Sequence, residues 1–521
     1  MIPTYQDFLE APDVTTFVRS AIETYKHSDM YKTACLADEY DAQKNPTVSN
    51  IVRTLYTASG IQREDDTVSN HRIASNLFNR LNTQRCMYSL GSGVSFIDPW
   101  EAKSGETDTT KDALGKDFDH IIREAAYHAL IHGRSYLMWD LDKVYLFKAT
   151  EFVPFDDENT GNLMAGVRFW QLDKSKPLNA VLYEKDGFTC YSSADGKWRE
   201  TQPKRGYRRN YTYTDAEGVI SFDDENYNMV PIVRMYGSRL KQSTLIGLRE
   251  SIDAFDLIQS GFANDLTDCA QIYWIVENYG GMDDNDLAEF LKKLKFNHVA
   301  NADTQAGGKV TPYNQDIPYQ ARKQFLDDMR ARIYEDFGAL DVHTISAGST
   351  NDHIDAAYQP LEENAADFEH WVSDAIVHLL ELVGIDDVPI FRRTRISNQK
   401  EQVEMLVQEA MWLDTETILR KLPNITPDEY RAILDNSMLE DMTRIGIDTT
   451  DETEEEGGVQ PDTQVEKAVT SLNGAQTQSL IAIMGQYSSG ALSEGQAIKL
   501  IATAIGLTTE EARKILLGEM E

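Results

Sequence analysis

Two segments decide the architecture: Leu245-Ile-Gly-Leu-Arg-Glu-Ser-Ile-Asp-Ala-Phe-Asp-Leu-Ile-Gln-Ser-Gly-Phe-Ala-Asn-Asp-Leu266 and Arg322-Lys-Gln-Phe-Leu-Asp-Asp-Met-Arg-Ala-Arg-Ile-Tyr-Glu-Asp-Phe337. In the first, Leu245, Leu248, Ile252, Phe255, Ile258, Phe262 and Leu266 recur at steps of three and four, which predicts one apolar stripe on a helix. Arg249, Glu250, Asp253, Asp256 and Asp265 fall on the rest of its surface. In the second, Phe325, Met329, Ile333 and Phe337 repeat every fourth residue among Arg322, Lys323, Asp327, Asp328, Arg330, Arg332, Glu335 and Asp336. At 1.5 Å per residue each helix spans roughly 30 Å.

Working outward, residues 269–318 form an insert between the two helices, and Asp341-Val-His-Thr-Ile-Ser-Ala-Gly-Ser-Thr-Asn-Asp352 reads as a loop after the second. A longer helical pattern then takes in Ile354, Tyr358, Leu361, Phe368, Val372, Ile376, Leu379 and Leu382. Pro360 inside it predicts a kink. Within the insert, Gln271–Val276, Phe296–Val299 and Lys309–Tyr313 read as strands, and Asp283–Leu294 as a short helix with Leu287, Phe290, Leu291 and Leu294 inward.

Upstream, Ala11–Lys44 carries two helical segments, and a third helix is expected from about Asn70 to Ser89, with Ile73, Leu77 and Leu81 inward, broken by Gly91-Ser-Gly93. Glu101–Lys111 is polar and reads as a loop, and helix resumes through Phe118, Ile121, Ile122, Ala125 and Ala129 to Gly133. From Ser135 to Tyr236 the period changes to two, with hairpin signals at Asp186-Gly187 and Asp195-Gly196. Val388–Phe391 reads as a returning strand. An all-helical region begins at Asn398, with capping signals at Thr426-Pro-Asp-Glu429, Ser493-Glu-Gly-Gln496 and Thr508-Thr-Glu-Glu511. Asp448–Gly458 is an acidic linker, followed by a small helical unit from Leu472 to Leu517.

A chain of 521 residues that is 41% hydrophobic supports two to four domains with their own cores. No run approaches the length of a membrane span, and Met1-Ile-Pro-Thr-Tyr-Gln has neither a basic leader nor an apolar core, so a soluble, unexported chain is expected. Cys35, Cys86, Cys190 and Cys269 stand far apart, which fits free thiols in a reducing compartment. A net charge of −35 argues against gripping nucleic acid by counterion release.

Chemical motifs are few. His128 and His132 lie one helical turn apart, but Ala129 stands where a zinc protease places its Glu and no third ligand is signalled, so two packed histidines and no metal are expected. Asp283-Asp-Asn-Asp286 lacks calcium-loop register, and Gly280-Gly281 and Gly307-Gly308 lack the Lys-Ser/Thr of a phosphate loop. Lys204-Arg-Gly-Tyr-Arg-Arg209 with Tyr211 and Tyr213 interleaves basic and aromatic residues, and its turn composition favours a solvent-facing β-loop over a nucleic-acid surface. Arg392, Arg393 and Arg395 are candidates to pair with acids at a subunit seam. With no nucleophile–base pair, metal cage or phosphate loop, no catalytic residue and no cofactor is expected.

The order of parts resembles that of tailed-phage portal proteins, in Ser243-Thr-Leu-Ile-Gly-Leu-Arg-Glu-Ser-Ile-Asp-Ala-Phe-Asp256, Ser260-Gly-Phe-Ala-Asn-Asp265, Ser346-Ala-Gly-Ser-Thr350 and Ala356-Ala-Tyr-Gln-Pro-Leu-Glu-Glu363. Leu472-Asn-Gly-Ala-Gln476 and Ala491-Leu-Ser-Glu494 resemble the tail of some portals. The resemblance implies an α+β multidomain portal fold. Its parts would be a mixed α/β wing over 1–244, stem helices over 245–268 and 319–340, and a small α/β clip over 269–318. A tunnel loop over 341–352, a long kinked helix with a returning strand over 353–396, a helical crown over 397–447, an acidic linker over 448–471 and a helical tail over 472–521 would complete it.

It further implies a homo-oligomeric ring, a dodecamer in the family, at one capsid vertex of the virion, assembled in the host cytoplasm without a membrane. Double-stranded DNA would pass through, driven by the terminase large subunit, with head-completion or adaptor proteins and the major capsid and scaffolding proteins as further partners. Under that reading Val342, His343, Thr344, Ile345, Ser346, Ala347, Gly348, Ser349, Thr350 and Asn351 face DNA, and Asp327, Asp328, Glu335 and Asp336 line the channel. Asp283, Asp284, Asp286, Lys292, Lys293 and Lys295 contact the terminase or adaptor. The stem acids could equally pair with Arg322, Lys323, Arg330 and Arg332 on their own helix. A non-channel structural scaffold and an acidic soluble hydrolase are the alternatives.

Overall fold

The computed structural model describes most of residues 2–434 and parts of 483–516; the main stretches outside the described residues are 57–61, 65–68, 101–106, 215–219, most of 270–317, 345–349 and 435–482. The chain divides into two compact units, residues 1–398 and 399–521.

The first unit opens with α1 (Tyr5–Leu9), α2 (Val14–His27) and α3 (Asp29–Asp41). The Asp13 carboxylate accepts from the N–H groups of Thr15 and Thr16 and starts α2 where the chain leaves Pro12. Val18, Ala21, Ile22 and Tyr25, on one face of α2, are buried against a five-stranded antiparallel sheet. Its strands are β6 (Phe152–Asp156), β7 (Leu163–Trp170), β8 (Leu178–Glu184), β9 (Gly187–Ala194) and β10 (Lys197–Arg205), in sequential order. The Tyr25 hydroxyl donates to the Ala149 carbonyl at 2.7 Å, which satisfies the one polar atom of an otherwise fully buried ring. Glu184 pairs with Gly187 across a two-residue turn, as the Asp-Gly signal predicts.

A second core lies on a three-stranded sheet of order β13-β4-β5, where β4 is Arg134–Asp140, β5 Lys143–Lys148 and β13 Ile232–Tyr236. Helix α7 (Phe118–His132) places Ile122, Ala125, Ala126 and Ala129 there, and the long helix α10 (Asn351–Val383) adds Phe368, Val372, Ile376 and Leu379. The alanines are what allow α7 to approach the strands closely. Gly133 ends α7 at φ +85°, and a Cβ there would lie 2.6 Å from the Gln242 carbonyl carbon, so both conformation and space require glycine. Residues 390–391 form β16, which pairs with β3 (Val94–Ser95), so the returning strand is present.

Several sequence expectations are corrected. Helix α5 spans Leu77–Leu90 and does not begin near Asn70; residues 71–75 are extended. Thr109–Lys111 belong to the short helix α6 (Thr109–Leu114), where the Asp108 carboxylate caps Lys111 N–H. The basic–aromatic run, expected as a β-loop, joins two strands: Lys204 and Arg205 end β10 and Arg208 opens β11 (Arg208–Thr214), which pairs with β12 (Ile220–Glu225). Three of its four cations pair with acids, Lys204 with Glu184 and Asp186, Arg208 with Glu225 and Arg209 with Asp224, while Arg205 lies over the Phe188 ring. Arg393 and Arg395 do not wait for a neighbouring subunit. Arg393 makes a two-pronged bond to Glu369 at 2.9 and 2.7 Å, and Arg395 binds Asp355 and Glu362, all on α10.

The second unit holds α11 (Gln399–Glu409), α12 (Thr415–Lys421) and a helix over 427–434, whose predicted capping box is formed: Thr426 N–H donates to Glu429 Oε2 and Glu429 N–H to Thr426 Oγ1. Further on, α13 (Glu494–Ile505) buries Ala497 and Ile501 with Ala512 and Leu516. The linker over 448–471 and the Thr508 cap lie outside the described residues.

His128 and His132 are both buried on α7, their rings stacked at 5.1 Å between centroids. His132 Nε2 lies 2.7 Å from Asp38 Oδ1 on α3. Burial first, then the neighbouring His132 and Lys148, push the His128 pKa down to about 3, with Asp38 acting in the other direction. The folded form therefore resists a proton that the unfolded chain accepts below its ordinary value of about 6.5. This contribution to stability is intact above that pH and is lost as pH falls toward 3. In guanidinium unfolding, the wild type should lose about 2 kcal/mol more than H128Q between pH 7 and pH 5. Parallel curves for the two proteins would refute the assignment.

Candidate functional site

The predicted helix pair exists as an antiparallel hairpin of α8 (Arg249–Cys269) and α9 (Tyr319–Phe337). At its base Leu245, Leu248 and Ile252 pack with Ile333, Tyr334 and Phe337, against Tyr40 of α3, Leu77, Phe78 and Leu81 of α5, and Ile131 of α7. At its far end Phe262 meets Tyr319, with 5.6 Å between ring centroids, and Arg322 pairs with Asp265. The apolar stripes are thus hidden unevenly. The base half is closed within one chain, while Leu257, Leu266 and Phe325 stay 46%, 48% and 43% exposed beyond it. A groove of about 440 Å³ between the helices is lined by Leu257, Ile258, Gly261, Phe262, Ala321 and Phe325.

Asp256 does not lie on the solvent face, where the sequence pattern put it; it is fully buried, and a second, polar stripe runs up α8 from it. Ser75 N–H donates to Asp256 Oδ1 at 3.0 Å, Ile73 N–H to Ser260 Oγ at 2.9 Å, and His71 N–H to Asn264 Oδ1 at 2.6 Å. The match is geometric. Two residues of extended chain advance about 6.6 Å and four residues of helix about 6.0 Å, so donors at 71, 73 and 75 stay in register with acceptors at 264, 260 and 256. Asn45 Nδ2 adds a fourth bond, to Asp256 Oδ2 at 2.9 Å. Burial raises the Asp256 pKa, against the opposing pull of the Asn45 and Ser75 bonds. This clasp is why residues 71–75 are extended and not helical.

The C-terminus of α9, at the base of the hairpin, is held just as specifically. Helix α9 stops at Gly338, φ +63°, with Ala339 N–H returning to the Tyr334 carbonyl; a Cβ at Gly338 would collide with Asn364 Nδ2. Asn364, on α10, donates to the carbonyls of Phe337 and Gly338 at 3.2 and 3.3 Å. Arg85, on α5, donates to the Phe337 carbonyl at 2.7 Å and lies over the Phe337 ring, a buried cation at the negative end of α9. Its pKa is pulled down to about 10 by that burial. Gln84 binds Leu340 through both backbone groups, at 2.9 and 3.0 Å. Asp341 then accepts from His343 N–H and from Arg330, each at 3.1 Å, and starts the single turn Val342–Thr344.

The predicted site residues fall as follows. Val342 and His343 are exposed in that turn. Thr350 is exposed at the start of α10, whereas Asn351 is not a loop residue but the first residue of that helix, and it is buried. Ile345, Ser346, Ala347, Gly348 and Ser349 lie outside the described residues, as do Asp283, Asp284, Asp286, Lys293 and Lys295. Lys292 is helical and exposed, β14 (Tyr273–Glu277) pairs antiparallel with β15 (Lys309–Tyr313), and the other elements expected in the insert are not described. Helix α10 runs through Pro360 without a break in its assignment.

Asp327, Asp328, Glu335 and Asp336 are all exposed on α9. At 100° per residue Asp328 and Glu335 point within about 20° of each other, roughly opposite Ile333 and Phe337, with Asp327 and Asp336 on either side. Of the four, Asp336 pairs with Arg332 at 3.5 Å in an exposed i,i+4 bridge. Arg322 and Arg330 are engaged elsewhere, by Asp265 and Asp341. Among the described residues Asp327, Asp328 and Glu335 make no ion pair, so their own helix neutralises only a quarter of this acidic face.

Over residues 22–446 the chain matches the family described as phage portal protein, SPP1 Gp6-like, and it belongs to that family. It is 23% identical over 418 residues to the portal protein of Bacillus phage SPP1, covering 74% of this chain and 80% of that protein. To the portal protein of Clostridium phage phiCD119 it is 30% identical over 209 residues, 38% of this chain and only 46% of the relative. The resemblance carried by the two helix sequences is therefore borne out at the level of family. Portal proteins are structural components of the phage virion, and no described helix is long and apolar enough to cross a membrane.

Sequence reasoning missed the clasp on α8 and the anchors on α5 and α10. The first left a trace, since Asp256, Ser260 and Asn264 recur at steps of four. Gln84 and Arg85 left none. Replacing Gln84 by Ala should cost about 1–3 kcal/mol, because both Leu340 backbone groups lose their partner. Hydrogen exchange should quicken over residues 340–344 and stay unchanged over 71–75; equal protection of both segments in Q84A would contradict the anchoring role.

Proposed function

We propose that the chain assembles as a closed ring with α8 and α9 of each copy around a central channel, through which double-stranded DNA is packaged by the terminase motor and later ejected. The observation that carries the reading, in a member of the portal family, is that one copy hides only the base half of its helical hairpin. Leu257, Leu266 and Phe325 remain 43–48% exposed, with no cover among the described residues. Rotational repetition supplies the missing cover, because each copy can lay its open groove against the next.

In this ring the acidic face of α9 lines the bore. Carboxylates at Asp327, Asp328, Glu335 and Asp336 offer passing phosphates no counterions to release and hence no deep local minimum, so the duplex slides without sticking. The Arg332–Asp336 pair leaves that character intact, since an exposed i,i+4 bridge contributes only about 0.3–0.5 kcal/mol. The segment Val342–Thr350 approaches DNA from the base of α9, and the Gln84, Arg85 and Asn364 bonds give it a fixed footing. The insert over 269–318, with Asp283, Asp284, Asp286, Lys292, Lys293 and Lys295, meets the terminase large subunit first and the head-completion or adaptor protein afterwards. The vertex itself is shared with the major capsid and scaffolding proteins. No catalysis is assigned to the chain, and the work comes from the terminase ATPase.

End-on images of purified protein should show rings with a central hole of countable symmetry, twelve-fold on the family pattern. L266D should shift the population to smaller species in light scattering while circular dichroism stays unchanged. Solid assemblies without a hole would favour a scaffold, and monomers at every concentration would reject the ring. In a packaging assay with normal rings, D328K should slow translocation and steepen its salt dependence; unchanged rates would move the acids away from the bore.

A further inference from the structure

The histidine pair on α7 acquires in three dimensions the partner it lacks in sequence. Asp38 of α3 reaches it across ninety residues of chain, and donor atoms of Asp38, His128 and His132 all lie within 4.8 Å of one another. Both imidazoles are more than nine-tenths buried, at 7% and 3% exposure. The Nδ1 atom of each is buried with no hydrogen-bond partner among the described residues. An orphaned ring nitrogen is a cost that a packed histidine ordinarily avoids.

We propose that Asp38, His128 and His132 form a binding site for one divalent transition-metal ion of the zinc class, clamping α3 to α7. Two imidazole nitrogens and one carboxylate oxygen suit zinc, cobalt or nickel and are too soft a set for magnesium or calcium. Around a tetrahedral ion with bonds near 2.0–2.1 Å, donors sit about 3.3 Å apart, so side-chain rotations of about an ångström close the site. The fourth position is left for water. The Asp38 side chain is 43% exposed and provides the entry path.

Other charges nearby divide in their effect. Glu124, whose Oε2 lies 3.9 Å from His128 Nε2, favours a cation, and Lys148, close enough to influence both Asp38 and His128, opposes it. The site lies beside the helices that brace the base of α8, where Tyr40 of α3 and Ile131 of α7 share one cluster with Leu245 and Leu248. Its consequence is rigidity there, and the inference does not depend on ring formation.

The test uses the full chain after treatment with a chelator. Cobalt(II) should bind at one equivalent with the intense visible absorption of a low-symmetry, four-coordinate site, and zinc should displace it and raise the melting temperature by several degrees. H128Q should weaken zinc binding at least tenfold and remove the cobalt spectrum, with H132Q as a second variant if H128Q melts early. K148Q should tighten binding several-fold, a response that a purely structural histidine pair would not give. Absence of the cobalt spectrum in the wild type, or titrations that H128Q leaves unchanged, would overturn the proposal.

Discussion

A backbone N–H left unpaired where a segment packs against a helix costs up to a lost hydrogen bond, and among the described residues no strand pairs with 71–75 to prevent that cost. Side chains of α8 do so instead. Asp256, Ser260 and Asn264 present acceptors along one edge of the helix at the pitch of an extended chain, and the N–H groups of Ser75, Ile73 and His71 take them. Helix α8 and the turn before it are thereby gripped on two faces, by Leu245, Leu248 and Ile252 toward α9 and by polar groups toward 71–75. A helix held only by a greasy stripe can roll about its axis. One held by directional bonds on a second face cannot, and the direction in which its outer half points is fixed with it.

The return helix is fixed by a different device. Arg85, Gln84 and Asn364 collect the last carbonyls of α9 and the chain just beyond, so the α9 C-terminus is joined to α5 and α10 at one point. Apolar packing concentrates at the base of the hairpin, and the far end keeps apolar side chains in solvent. That asymmetry would be a liability for an isolated molecule and is the expected condition of a subunit. It links the local bonds of one copy to the ring proposed for many.

Electrostatics follow the same division of labour. Two arginines expected to serve neighbouring copies are used inside the chain, Arg393 and Arg395 tying the segment after α10 back onto Glu369, Asp355 and Glu362; Arg322 and Arg330, expected to pair with acids of their own helix, hold Asp265 and Asp341 instead. The cations are consumed in fixing geometry and the excess of acid is left on the surface. A net charge of −35 is thus not spread evenly over salt-bridged faces, and α9 shows the outcome in miniature, with three of its four outward acids unpaired among the described residues.

By itself the sequence determined the helical hairpin, the alternation of the two sheets, the hairpin turn at Asp186-Gly187, the capping box at Thr426 and the family, because each is written in short-range periods or in a local string. It misplaced the start of α5 because Ile73, Leu77 and Leu81 keep helical spacing whether or not residues 71–75 are pulled straight by acceptors nearly two hundred residues away. It put Asp256 in solvent because charge usually goes there, and only tertiary structure supplies the Asn45 and Ser75 partners that let it be buried. For the same reason His128 and His132 read as two packed rings until α3 brings Asp38 beside them. Periodicity reports which face of an element is apolar; which distant polar group arrives at the other face is decided only when the elements pack.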